Sequence, residues 1–208
     1  MSTLVSDVIR KAGRRFGDTD QIVISNADWY DWINEAQLEI CKKTSYLTTT
    51  TTAAASTFPV AVPAGFIRMV DVTYDGNPLK LMERETLIEM QIDKDDADGG
   101  TPEFYYFFDK KINLYPEPDS SDSHSVAYTY VGVPTLVTGT GDNLSVLDAY
   151  SPDVVTWCVM RARERIKDYQ GMQIASQQFL DGQGDRIDGM QVADDSYPTI
   201  RDVWADHG

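Results

Sequence analysis

The chain has 208 residues, 42% of them hydrophobic, and 33 acidic against 18 basic side chains leave a formal net charge of -15 at pH 7. That length suits one domain with a core, or one domain and an arm, and the shortage of Lys and Arg argues against sequence-reading of nucleic acid, which needs clustered cations for the phosphates. No run of 18 apolar residues occurs, and Met1 to Gly17 lacks the apolar core of a signal peptide, so a soluble, cytoplasmically made protein is expected.

In chain order, Leu4, Val5, Val8, Ile9 and Ala12 recur at helical spacing and predict a first helix over 3–16. Arg10, Lys11, Arg14 and Arg15 place positive charge at its C-terminal end, where the helix dipole favours it, and Gly17 stops it. A second helix is predicted over 25–45, opened by Ser25 with Asp28 three residues on as an approximate capping box. Trp29, Trp32 or Ile33, Ala36 and Ile40 mark its buried face. Thr48 to Thr52 favours a strand but offers no apolar face, which predicts an exposed or edge strand open to another chain. Phe66 to Tyr74 and Leu79 to Leu81 read as a β-hairpin around Asp75-Gly76-Asn77-Pro78, followed by a short helix within Glu83 to Ile92.

Asp93, Asp95, Asp96 and Asp98 invite comparison with a calcium loop, but Ala97 occupies a ligand position and no glutamate closes twelve residues, so a solvated acidic loop is expected. Gly100, Thr101 and Pro102 then lead into the aromatic run Phe104 to Phe108, a strand candidate. Asp109 and Lys110 fit a two-residue turn, and Ile112 to Tyr115 returns as its partner until Pro116 and Pro118 end the pairing. Val126 to Val131 reads as the next strand, so the expectation is an antiparallel meander. The Gly139-Thr140-Gly141-Asp142 segment lacks the rest of a phosphate loop and is taken as a turn.

A third long helix, over 151–180, starts at Ser151 and Pro152, carries an apolar seam of Val155, Val159, Ala162, Ile166 and Tyr169, and is interrupted at Gly171. From Asp181 onward glycine and aspartate dominate and apolar residues lose their period, which predicts an extended arm over 181–208 that orders on a partner. Its candidate anchors include Met190, Tyr197, Ile200, Val203 and Trp204.

Chemistry is thinly represented. The two histidines, His124 and His207, sit in a serine-rich loop and next to the C-terminus, and neither lies beside a nucleophile or at metal-ligand spacing. Cys41 and Cys158 lie in predicted helices and are read as buried apolar groups. No catalytic residue, cofactor or metal is assigned, and enzyme activity is not expected.

Several stretches together resemble the head-to-tail adaptor proteins of tailed bacteriophages: the Gly100-Thr101-Pro102 opening, the aromatic strand, the Asp109-Lys110 turn and the exit Leu114-Tyr115-Pro116-Glu117-Pro118-Asp119. Ile24-Ser25-Asn26-Ala27-Asp28 with Trp32 to Gln37, and Ser151-Pro152-Asp153 with the helix to Tyr169, extend the likeness over roughly residues 1 to 180. A glycine is expected in the turn; Asp109, which tolerates the left-handed region, stands there instead. The expected fold is α+β: a helical bundle from the N- and C-terminal helices, an inserted antiparallel β-hairpin region over 47–131, and the arm, with 1–180 as the adaptor domain.

The resemblance implies a structural virion protein of the neck, in a ring usually of twelve copies. It implies a ring that binds the portal protein, extends the DNA channel and docks a tail protein such as a nozzle, tail tube or stopper. The genome would pass through without being read, and no membrane is involved. On the residues, the arm (Met190, Tyr197, Ile200, Val203, Trp204) is expected to grip the portal. Thr48, Thr50, Thr52, Phe58 and Val60 are expected to meet the tail or the next subunit. A tail-completion or stopper protein of the neck, a β-rich carbohydrate-binding module and a glycoside hydrolase are the other readings.

Overall fold

The computed structural model describes residues 3–20, 22–44, 46–89 and 100–193. In chain order its elements are α1 (Val5–Phe16), α2 (Asn26–Lys43), β1 (Thr48–Ala54), β2 (Val60–Ala61), β3 (Phe66–Tyr74), β4 (Asn77–Pro78), β5 (Lys80–Leu81), α3 (Arg84–Glu89), β6 (Phe104–Phe108), β7 (Lys111–Tyr115), β8 (Ser125–Gly132), α4 (Ser151–Arg165) and α5 (Tyr169–Ala193). The chain divides into a helical unit, from 1–44 and 134–208, and a β unit, 45–133.

In the helical unit, helices from both ends of the chain pack together. Val5, Val8, Ile9 and Ala12 of α1 are buried, as the helical period requires. The capping box of α2 forms: the Asp28 N–H donates to Ser25 Oγ, and the Ser25 N–H donates to the Asp28 carboxylate, each at 3.2 Å. Trp29, Ile33, Ala36 and Ile40 then face the core, with no exposed surface. Polar side chains fix the returning chain. Asn34 exchanges two hydrogen bonds with the Val137 backbone (2.8 and 3.0 Å), and Gln37 Oε1 accepts from the Ser145 N–H at 2.6 Å.

The helix predicted over 151–180 is two helices. The break lies at Ile166 to Asp168, where Lys167 takes φ 62°, and not at Gly171. Asp168 accepts from the Gly171 N–H at 3.0 Å, so Gly171 sits in the first turn of α5. A Cβ there would lie 2.3 Å from both an Arg163 guanidinium nitrogen and the Asp168 carboxylate. The glycine marks a close approach, not a stop. Beyond this, α5 runs on through Ala193, past Asp181.

The β unit corrects the expected fold class. It is not a bundle's inserted hairpin region but two four-stranded sheets, ordered β1-β8-β3-β4 and β2-β7-β6-β5. The β6–β7 hairpin forms as read, with Phe108 opposite Lys111, and Asp109 and Lys110 both take positive φ (50° and 56°), the combination that matches strand twist. The meander does not. β8 leaves β7 and inserts between β1 and β3, pairing Thr48 to Ala54 with Val131 to Ser125. Only Thr73 and Tyr74 pair across the Asp75-Gly76 turn; Lys80 and Leu81 cross to the other sheet and run parallel to β6. The reason is burial. Val126 and Tyr128 of β8 share one core cluster with Tyr105, Ile112 and Leu114, a cluster that draws side chains from both sheets.

Candidate interaction surfaces

β1 is an edge of its sheet, and Thr48, Thr50 and Thr52 are exposed along it. The Thr50 hydroxyl lies 2.9 Å from that of Thr129 on β8, a lateral bond that holds the strand without an apolar face. The other sheet edges, β4, β2 and β5, are two residues each and carry or adjoin Pro or Lys, the devices that blunt an edge. β1 has seven residues and neither device. Phe58 and Val60 are placed elsewhere. Phe58 is buried edge-on to Tyr128, with ring centroids 6.5 Å apart, and Val60 is half-buried in β2 opposite Ile112.

A second exposed surface in the β unit escaped the sequence reading. Phe107, Phe108 and Leu81 are exposed, and the Arg84 guanidinium lies 4.0 Å from the Phe108 ring centroid. Two neighbouring phenylalanines leading into a turn were the available signal, because alternation puts only one of them on the core face.

In the helical unit, one side chain holds the backbone of Ile22 to Ile24 ahead of α2. Asp18, buried, accepts from the Ile22, Val23 and Ile24 N–H groups at 2.8, 3.1 and 2.9 Å. Ile24 points inward with no exposed surface, while Ile22 and Val23 point outward at 83% and 55% exposure. In the same unit, Lys11, Arg14, Arg15, Ser151, Pro152 and Val155 line a groove of about 300 Å³. Among the described residues none of these three cations forms an ion pair, whereas Arg10, Arg161, Arg163 and Arg165 each pair with a carboxylate.

Met190 falls within α5, and the other arm residues, Tyr197, Ile200, Val203 and Trp204, lie outside the described residues, as does the acidic loop 93–98. No group of three or more His, Cys, Asp or Glu among the described residues is arranged to hold a metal ion. His124 instead belongs to a local network. Asp122 accepts from the Tyr74 hydroxyl at 2.8 Å and lies 2.6 Å from His124 Nδ1. Burial first, and then the Asp122 carboxylate, push the Tyr74 hydroxyl up to about 12. Burial likewise pushes the Cys41 thiol up to about 11 and raises that of Cys158. No helix among the described residues is long and apolar enough to cross a membrane.

Comparison with known families gives these surfaces a frame: residues 3–202 match the SU10 adaptor protein family. The chain belongs to that family. Its match takes in every element from α1 to α5, so both units of the SU10 adaptor are family features. The resemblance to phage adaptors read from the short motifs is thereby shown over nearly the whole chain. No curated protein gives a significant match.

Proposed function

We propose that this adaptor is a structural protein of the virion neck that assembles as a ring, binds the portal, continues the DNA channel and docks the tail. The observation that carries the reading is the family match over residues 3–202, in a protein whose exposed features include a strand edge, an apolar loop and a hairpin tip. In this reading the C-terminal anchors Met190, Tyr197, Ile200, Val203 and Trp204 grip the portal. The β1 edge at Thr48, Thr50 and Thr52 adds a strand from the tail or the next subunit, with Phe58 and Val60 behind it in the core cluster of the same unit. A net charge of -15 suits a channel wall, because like charge keeps the genome's phosphates from adhering. Repetition of a modest contact around a ring makes attachment effectively permanent. The work is mechanical, and no catalytic step belongs to it.

The test is co-sedimentation with purified portal rings, comparing the full chain with one ending at Leu180, ahead of every proposed anchor. Saturation near one chain per portal subunit, lost on truncation, is expected. Saturation that survives truncation moves the contact off the arm; no binding by either form overturns the portal-bound ring and leaves a stopper further down the neck.

A further inference from the structure

We propose that the loop bearing Asp20, Ile22 and Val23 of one copy seats in the groove lined by Lys11, Arg14, Arg15, Pro152 and Val155 of a second copy, joining subunits head to tail. The inference rests on the ring reading above and names the surfaces that would build it.

Two halves of a contact are present on one unit. The groove is cationic at its rim and apolar at its floor, where Val155 is 2% exposed. Lys11, Arg14 and Arg15 gather at this one groove without an ion pair among the described residues, Arg15 donating only to the Thr156 hydroxyl at 3.4 Å, whereas Arg10 is paired with Asp7 at 2.8 Å. Such a rim favours a partner that brings a carboxylate, and such a floor favours one that brings aliphatic groups.

The loop offers both. Asp20 is exposed, and Ile22 and Val23 are the adjacent outward-facing aliphatic residues. Their backbone is already ordered by three hydrogen bonds to Asp18, so little conformational freedom remains to be lost on docking. A structural purpose within one copy does not account for them. Ile24 alone supplies the inward contact of this segment, and Ile22 at 83% exposure touches little of its own chain. Because loop and groove are different surfaces, the contact is heterologous: each copy uses its loop on one neighbour and its groove on the other. Contacts of that kind close into rings where the rotation permits.

The experiment is sedimentation velocity on the full chain across a concentration series, with a groove variant (Lys11→Glu, Arg14→Glu, Arg15→Glu) and a loop variant (Ile22→Ser, Val23→Ser). Far-UV circular dichroism checks folding, and a milder groove variant with Gln at the same three positions replaces the first if charge reversal unfolds α1. Wild type is expected to form species larger than two chains, and each variant alone to associate at least tenfold more weakly. An equimolar mixture is expected to give one-to-one dimers and nothing larger, since one intact loop then meets one intact groove. Either variant associating like wild type, or a mixture as inert as its components, overturns the contact. A chain that saturates portal rings but never self-associates overturns it while the ring reading stands. Complementation between variants that fail to bind portal keeps the contact and removes the neck.

Discussion

A Cβ added at Gly13 would lie 2.9 Å from the carbonyl oxygen of Asp18. The two residues meet because α1 closes through left-handed Gly17 (φ 94°), with the Gly17 and Asp18 N–H groups both donating to the Gly13 carbonyl at 2.8 and 2.9 Å. The atom in the way is backbone, so it cannot swing aside. Gly13→Ala would gain up to about 1 kcal/mol of helix propensity and lose about 1–3 kcal/mol to overpacking. The expected result is a lower melting temperature, with increased amide exchange at Ile22, Val23 and Ile24, because moving Asp18 moves the acceptor of all three. An unchanged exchange pattern would mean the loop does not depend on this closure.

Removing the acceptor itself is the sharper test. Asp18→Ala leaves the Ile22, Val23 and Ile24 N–H groups without their carboxylate, in a place where Asp18 is 7% exposed. Loss of a charge-assisted network of this kind costs about 2–3 kcal/mol. Urea unfolding followed by tryptophan fluorescence reads it, and a loss under about 0.5 kcal/mol would place this loop outside the cooperative unit.

Aspartates at helix starts set the response to acid. The Ser25 hydroxyl, and after it Arg165, hold the Asp28 carboxyl below the ordinary value of 3.8, and the Gly171 N–H and then Arg163 do the same for Asp168. A group depressed on folding contributes stability above its unfolded value and loses it as pH falls through its folded one. The helical unit is therefore expected to hold its stability down to about pH 4 and to lose it progressively below. Asp28→Asn should flatten that acid limb while lowering stability at pH 7. An acid limb identical in wild type and variant would show that Asp28 is not among the groups responsible.

Local rules made much of the chain legible. Ser25 and Asp28 announced α2, the threonines of 48–52 announced an edge, and Asp109-Lys110 announced the β6–β7 turn, because each depends on neighbours in sequence. What failed was long-range. Val126 to Val131 follows Ile112 to Tyr115 closely, yet pairs with Thr48 to Ala54, and nothing short of the shared core of Tyr105, Ile112, Val126 and Tyr128 decides that. The Asp18 clamp was illegible for a similar reason. One carboxylate taking three N–H groups is a tertiary arrangement, and its only trace was Ile22-Val23 standing exposed-to-be between acids and a helix cap. Gly171 misled because a glycine needed for close approach looks in sequence like one that ends a helix.

Thiol chemistry follows from burial. Cys41 and Cys158 are free and have no exposed surface, and their thiols are held protonated by it. Folded protein at pH 8 is expected to consume less than about 0.1 equivalent of a thiol reagent within minutes, rising to two in denaturant. Prompt labelling of either cysteine in the native state would show that α2 and α4 open locally.

The β1 edge yields the last prediction. Lysine at Thr48, Thr50 and Thr52 keeps the strand's backbone but places charge along the free edge, the same device the shorter edges already use. These side chains are exposed, so each change should alter stability by no more than about 0.5 kcal/mol, with the Thr50–Thr129 hydroxyl bond the main loss. If the edge receives a strand from the tail, portal complexes assembled with the triple variant should still saturate but bind purified tail protein at least tenfold more weakly. If it receives the next subunit, saturation of the portal itself should fall. Equal behaviour of wild type and variant in both steps would leave β1 as an edge without a partner and move the tail contact to the exposed Leu81, Phe107 and Phe108 surface.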